Sequence, residues 1–489
     1  MNKNIFILLA GIAVVPVGCS MAPKYERPAA PVPAEWPKGA AYTESVKAGN
    51  VTNASLINWQ EFFTDAQLKK VIGIALTNNR DLKLAALNVR RAQGMYGIQR
   101  DALFPSLNAN GTMSRQRTPA DLSSSGAATT SSRFDANFGV ASWEIDFFGR
   151  ITSLKDEALH TYMATEEARR NSQIVLVSSV ANAYYAFAAD SENLKLAVTT
   201  LEAQENSFKL IKRNHDLGLV GDLDVQLAQT QVDSAREAKA RYTQVVALDK
   251  NALNLLAGGP LPEDVLKSEF GKITPPKEVH AGLPSDILLA RPDVLQAEHT
   301  LKAANADIGA ARAAFFPRIS LTAAVGTASS ELSGLFKAGS GAWSYAPQIV
   351  MPIFDARTWS AHRVAKVQRE IAVTQYESAI QNAFRDVADT LAVRGTIDQQ
   401  VQSQESMVHA VSEAYRLANS RYSKGLDSYL SVLDAQRSLF AAQQGLISLR
   451  LAKVSNQVRL YAVLGGGWDA DPNSPATSML SAADKTKKN

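Results

Sequence analysis

Apolar residues along this chain follow two rhythms, and the rhythms alternate. Ile174, Val177, Ala181, Tyr184 and Ala188 step by 3, 4, 3 and 4. Val401, Val408, Val411, Tyr415, Ala418 and Tyr422 step by 7, 3, 4, 3 and 4. These spacings draw a single stripe down one helix face, the seam of a coiled coil. They fall inside two very long helical stretches, 151–217 and 357–424. At about 1.5 Å per residue, each makes a rod on the order of 100 Å. Elsewhere the period drops to two. Ile319, Leu321, Ala323 and Val325 share one side of an extended segment, with Ser320, Thr322 and Ala324 on the other. That is strand periodicity.

The two rhythms occur twice, in the same order. "DLKLAALNVRRAQGMYGIQRDALFPSLN" (81–108) lies over "DVLQAEHTLKAANADIGAARAAFFPRIS" (293–320) without a gap, at an offset of 212. Phe148 then matches Phe354 at 206, Gly218 matches Gly425 at 207, and Gly258 matches Gly465 at 207. Ordered anchors at a nearly constant offset indicate an internal duplication. Each copy opens with a helical segment, about 65–103 and 285–315, that runs into a Phe-Pro pair. Proline drives the residue before it out of the helical region. Phe104-Pro105 and Phe316-Pro317 are therefore expected to convert helix into strand, with the two phenylalanines near a lipid boundary. A Gly/Ser/Thr-rich loop follows (119–132 and 328–341), then a second strand (134–148 and 343–354). After each long rod, Gly218 and Gly425 supply a helix stop, and a helix of 37 residues returns (221–257 and 428–464).

Composition narrows the function by exclusion. The chain has 489 residues, 51 Lys plus Arg against 47 Asp plus Glu, six His and one Cys. That near-balance leaves no electrostatic footprint for nucleic acid. No His pair has metal-ligand spacing, and a single cysteine excludes thiolate clusters and internal disulfides. No nucleophile elbow, zinc-protease motif or phosphate loop occurs, so an enzyme is not expected, nor a cofactor or metal. The cysteine closes a distinctive opening, "MNKNIFILLAGIAVVPVGCSM", whose apolar core from Ile5 to Val17 is too short for a bilayer span. It reads as a signal peptide, 1–18, of either the ordinary secretory or the lipoprotein kind. The "VGC" ending resembles a lipoprotein signal, although Pro16 stands where such signals carry Leu. That resemblance makes Cys19 the acylated residue, and Ser20 after it favours the outer membrane. The expected divisions are a tether and belt (19–64), a first repeat (65–258), a connector (259–284), a second repeat (285–465) and a polar tail (466–489).

Four strands of ten to fifteen residues are long enough to cross a membrane when tilted, but four cannot close a barrel. Several chains must contribute, unless the hairpins are polar appendages of a soluble coiled-coil lipoprotein. The motifs "NNRDLKLAALNV", "ALFPSL", "WEIDFFGR", "LPSDILLARPDVLQAEHTLKAANADIGAARAAFFPRISLTA", "LDAQRSLFAAQQ" and "LGGGW" resemble the TolC superfamily of outer-membrane efflux channels, OprM-type lipoproteins above all. The resemblance implies a mixed α and β membrane protein: a homotrimeric 12-stranded β-barrel, four strands per chain, continuing into a 12-helix periplasmic α-barrel. It implies as partners a periplasmic adaptor and an inner-membrane RND-type pump. Export of proteins by a type I secretion system is the alternative within the superfamily.

One constellation addresses gating. Leu430, Asp434 and Arg437 follow the Gly425 turn at spacings of 4 and 3, so they share a helix face. Symmetry would turn each into a ring: leucine to constrict, aspartate to repel anions and attract cations. Arg421 and Tyr422, on the incoming helix, are close enough in the hairpin to brace that face. The resemblance assigns Leu430 and Asp434 to the periplasmic constriction, and the arginines and tyrosine to the contacts holding it shut. In the first repeat Leu227 falls where Asp434 stands, so the second repeat should carry most of the gate.

Overall fold

The structure, a computed structural model, describes residues 20–42, 57–266, 270–279 and 288–468. The signal segment 1–18, Cys19 and the tail beyond Trp468 lie outside the described residues. The chain divides into two discontinuous compact units. The first holds the described residues up to Pro28 with Val89–Ala164 and Ala297–Tyr376; the second holds Ala29–Asn88, Thr165–Gln296 and the chain from Glu377 onward.

The first unit contains one antiparallel sheet in chain order. Its strands are β1 (Leu107–Thr118), β2 (Thr129–Ile145), β3 (Arg318–Ser329) and β4 (Gly341–Val350). Leu107 faces Val140, Phe138 faces Val325, and Ile319 faces Ile349. β1 and β4 are each paired on one side only, so the sheet ends in two open edges. The strand boundaries differ from the sequence expectation. β2 starts at Thr129, inside the stretch read as loop, because Thr129–Ser132 pair with Arg115–Thr118 and lengthen the first hairpin. β3 likewise runs on to Ser329, and both second strands stop short of Phe148 and Phe354. Between Val140 and Trp143 the register slips, with Ser142 at φ 51° donating its N–H to Thr322 Oγ1 at 3.1 Å. Such a bulge bends the strand and raises its twist.

Two rods leave the sheet: α4 (Arg150–Asp216, 67 residues) and α7 (Ala356–Ser423, 68 residues). Asp146 caps the first, accepting from the Ile151 and Thr152 amides, and Asp355 caps the second through Arg357. The seam of the first rod is buried as its spacing requires, whereas Val401, Val408, Val411, Tyr415, Ala418 and Tyr422 of the second are only half-buried within one chain. Ile174, Val177, Ala181, Tyr184 and Ala188 are all buried. Return helices follow as α5 (Asp222–Ala257) and α8 (Tyr429–Val463).

The segment expected as one helix over 65–103 is instead two, α2 (Ala66–Asn78) and α3 (Arg80–Asp101), after a single turn α1 (Trp59–Phe62). Asn79 makes the break at ψ 133°: its Oδ1 caps the Leu82 amide at 2.9 Å, and its Nδ2 donates to the Leu256 carbonyl at 3.0 Å. One orphan donor and one orphan acceptor are satisfied together. The second repeat does the same with a different side chain. There residues 285–287 of the expected segment lie outside the described residues. After a turn at Leu289 and Ala290 the helix α6 (Pro292–Ala313) begins, and Arg291 Nη1 donates to the Val463 carbonyl at 2.8 Å. Each return helix thus ends against the start of α3 or α6, and the helical segment breaks at that joint.

The linkers are packed rather than loose. In the second unit Phe62 stacks on Tyr461 (3.8 Å between centroids), Trp36 on Phe384 (5.0 Å), and Lys277 pairs with Glu61 at 2.8 Å. In the first unit the start of the described chain, expected as a tether, lies along α6. Asn305 Nδ2 donates to the Pro23 carbonyl at 2.7 Å, and Arg312 Nη1 to the Met21 carbonyl at 3.2 Å. Gly309 lets the strap pass, since a Cβ there would sit 2.7 Å from the Ala22 nitrogen.

Candidate functional site

Side chains directly across an antiparallel ladder point to the same face. Registered this way, one face of the sheet carries Leu107 and Met113, then Phe134, Phe138, Trp143 and Ile145, then Ile319, Leu321 and Val325, then Trp343, Tyr345 and Ile349. The opposite face carries Asn108, Asn110, Thr112, Ser114 and Gln116, Arg133, Asp135, Asn137 and Glu144, Ser320 and Thr322, Ser344 and Gln348. In a soluble sheet the apolar face would be covered. Here Phe138 is 62%, Trp343 80% and Ile349 67% exposed. On the polar face Arg133 pairs with Asp135 and Glu144 with Arg150, each at 2.8 Å, while Arg318, at the helix end of β3, has no ion pair among the described residues. Aromatic rings collect where helices meet strands. Phe316 stacks on Phe148 (5.0 Å, 23°), Phe315 meets Trp359 edge-on, and Trp143 Nε1 donates to the Leu103 carbonyl. Phe104 stays 66% exposed. No helix among the described residues is long and apolar enough to cross a membrane.

At their far ends the rods turn back through two glycines. Gly218 (φ 74°) donates to His215 O and Leu219 to Asn214 O; Gly425 (φ 72°) donates to Tyr422 O and Leu426 to Arg421 O. Both are six-to-one, five-to-two caps, which need a left-handed residue that glycine adopts without strain. The two tips share a small core of Ile211, Ala228, Tyr429, Val432 and Leu433, with Tyr415, Tyr422 and Leu227 packed against it. Leu227 is thus half-buried against this core, a place where a carboxylate would lose hydration.

The expected gate residues lie on the exposed side of α8. Leu430 is 50% exposed, as are 60% of the Asp434 and Arg437 side chains, and Asp434 pairs with Arg437. All three are exposed beside the buried stripe of Tyr429, Val432 and Leu433. Arg421 and Tyr422 do not brace that face within one chain. Arg421 instead holds Asp427 in a two-pronged pair (2.6 and 2.9 Å), and Tyr422 lies against Tyr429, 5.3 Å between centroids. The guanidinium hydrogen bonds keep the Asp427 carboxyl below its ordinary range. Burial, reinforced by Tyr422, Tyr415 and Asp224, pushes the Tyr429 hydroxyl up to about 12. Sequence reading passed over Asp427 and Tyr429. The signal was a carboxylate two residues past Gly425, which the cap folds back onto Arg421. In the first tip His215 Nε2 lies 2.9 Å from Asp222 Oδ1, an ion pair only when the imidazole is protonated.

Comparison with known proteins gives a consistent result. A family model described as "Outer membrane efflux protein" matches residues 71–259 and 283–466, one match per repeat. The chain is 47% identical over 469 residues to the toluene efflux pump outer membrane protein TtgC of Pseudomonas putida, covering 96% of both. It is 40% identical over 474 residues to outer membrane protein OprJ of Pseudomonas aeruginosa, covering 96% of this chain and 97% of that one. Among solved structures, the open state of the MtrE outer membrane channel of Neisseria gonorrhoeae superposes with a TM-score of 0.84 at 36% identity, over 93% of this chain and all (100%) of that one.

Proposed function

The chain belongs to the outer membrane efflux protein family, and from that premise we propose that it is the outer-membrane channel of a tripartite pump, carrying small molecules from an inner-membrane transporter and its periplasmic adaptor to the exterior. The family is one of channel proteins. The observation that carries the reading is the two-faced sheet with two open edges. An open edge leaves unpaired backbone groups in hydrocarbon, so the sheet must close with copies of itself. Three chains give twelve strands, with the apolar face toward lipid and the polar face toward a water-filled lumen. The rods continue that lumen into the periplasm. The TtgC relative is named for a toluene efflux pump, which supports this over protein secretion. The test is a deletion strain. Susceptibility to several drugs should rise with the secreted protein profile unchanged, and the reverse pattern would favour secretion.

A conduit of this kind is closed at rest by its tips. Threefold symmetry makes rings of Leu430 and of the Asp434–Arg437 pairs, and the Arg421–Asp427 pair fixes the turn that presents them. Pump and adaptor open it by separating the tips. Replacing Leu430, Asp434 and Arg437 together by alanine is expected to raise resting conductance in a planar bilayer; an unchanged closed state and ion preference would remove the assignment. Cys19 carries the lipid anchor in this reading. Cys19→Ser should abolish incorporation of labelled palmitate, and labelling that persists would refute it.

A further inference from the structure

Arg115 and Arg117 alternate along β1, so they continue the face of Leu107 and Met113, the apolar one. They sit at the strand's far end, beside the loop to β2 and away from the helices. Neither makes a hydrogen bond or ion pair with any described residue. The polar face offers the contrast: Arg133, across from Ser114, is held by Asp135 at 2.8 Å. Arg318 is also without an ion pair among the described residues, but it opens β3 at the opposite, helix end of the sheet and on the polar face, where lumen water can hydrate it. Arg133 is neutralised within the chain, and Arg115 and Arg117 are not.

Their height explains the difference. Eight and ten residues beyond Leu107, at about 3.4 Å each and a tilt of about 40°, put them roughly 21 and 26 Å above it. The apolar band of an outer-membrane barrel is about 25 Å tall. The two cations therefore emerge at its outer edge, where an unpaired charge against hydrocarbon is costly and an anion relieves the cost. Alternate residues stand about 7 Å apart, so both forks can close on one phosphate. The outer leaflet of this membrane is built from phosphorylated glycolipid, and its headgroup phosphates lie at that level. We propose that Arg115 and Arg117 form a binding site for a phosphate of that outer-leaflet glycolipid, seating the barrel in its leaflet. The proposal rests on the barrel reading above only for which face is outward, and its readout is binding, not conductance.

The test is native mass spectrometry of the full-length trimer in detergent with diphosphorylated lipid A, fully dephosphorylated lipid A and phosphatidylglycerol. Lipid A should bind wild type and Arg115→Lys/Arg117→Lys, and bind Arg115→Gln/Arg117→Gln about tenfold more weakly. Dephosphorylated lipid A should bind wild type about tenfold more weakly too. Equal binding of lipid A to wild type and the Gln variant would overturn the site. Equal binding of the dephosphorylated form would overturn the phosphate, and equal binding of phosphatidylglycerol would overturn the glycolipid. If the Gln variant fails to assemble, wild type against the two lipid A forms still decides.

Discussion

Glu298, on α6, gathers three donor side chains onto one carboxylate. Arg27 grips it at 2.8 Å, Lys302 lies at 2.9 Å, and the Tyr25 hydroxyl donates at 3.1 Å. Only 3% of its side chain is exposed. Burial alone would raise this carboxyl, but Lys302 and Arg27 outweigh it and hold it below the ordinary value. A lowered folded pKa contributes stability above the unfolded value, about 4.3, that is lost as pH falls through the folded one. The strap over residues 20–28 is therefore expected to stay closed at neutral pH and loosen only in acid. Glu298→Gln should mimic acid, costing about 1–3 kcal/mol, toward the lower end because Arg27 can hydrate. Limited trypsin digestion at pH 7 checks this: cleavage after Lys24 in the variant and none there in wild type. Equal cleavage at pH 7 would show that Glu298 does not hold the strap.

At the scale of elements, the Phe-Pro junctions are where one secondary structure is traded for another. α3 ends at Asp101 and α6 at Ala313, with Leu107 and Arg318 opening the strands. Proline excludes the helical conformation for Phe104 and Phe316, so the chain cannot run on into the strand as helix. In the second repeat the turn also sets Phe316 against Phe148. Pro105→Ala with Pro317→Ala should lower the yield of heat-resistant trimer on semi-native gels; full yield would mean the sheet alone enforces the break. The helix breaks at Asn79 and Arg291 are a different device. Both act by hydrogen-bonding the end of a return helix, a partner about 170 residues away in sequence: 177 for Asn79 and 172 for Arg291.

Over the whole molecule, the duplication sets how chains join. Within one chain the second strand of the first repeat lies beside the first strand of the second repeat, and Phe148 stacks on Phe316 at that seam. The equivalent residues are Phe354, just before α7, and Phe104, just before β1. They are 89% and 66% exposed, with no ring partner among the described residues. When β4 of one chain pairs with β1 of the next, the same seam recurs across the boundary and Phe354 meets the neighbour's Phe104. Phe104→Cys with Phe354→Cys should give covalently linked subunits under mild oxidation, while either single variant gives none. Uncrosslinked chains in an assembled trimer would contradict this register of closure.

How much of this is legible in the sequence depends on the range of the interaction. The rods were readable because their seam repeats many times over local spacings, and each step reinforces the last. The strands, the glycine caps and the duplication were readable for the same reason, as was the exposed face of Leu430, Asp434 and Arg437. The strand ends were not. Thr129–Ser132 have the composition of a loop and become strand only because Arg115–Thr118 offer them backbone partners. Asn79 carries a local helix-start signal in its cap on Leu82, but nothing local stops the preceding helix there. The cause of the break is the Leu256 carbonyl. Arg421 was placed near the gate by its position, yet its partner is Asp427, chosen by the fold of the cap. Periodicity is a property of the chain, whereas pairing belongs to groups that only the folded molecule brings together.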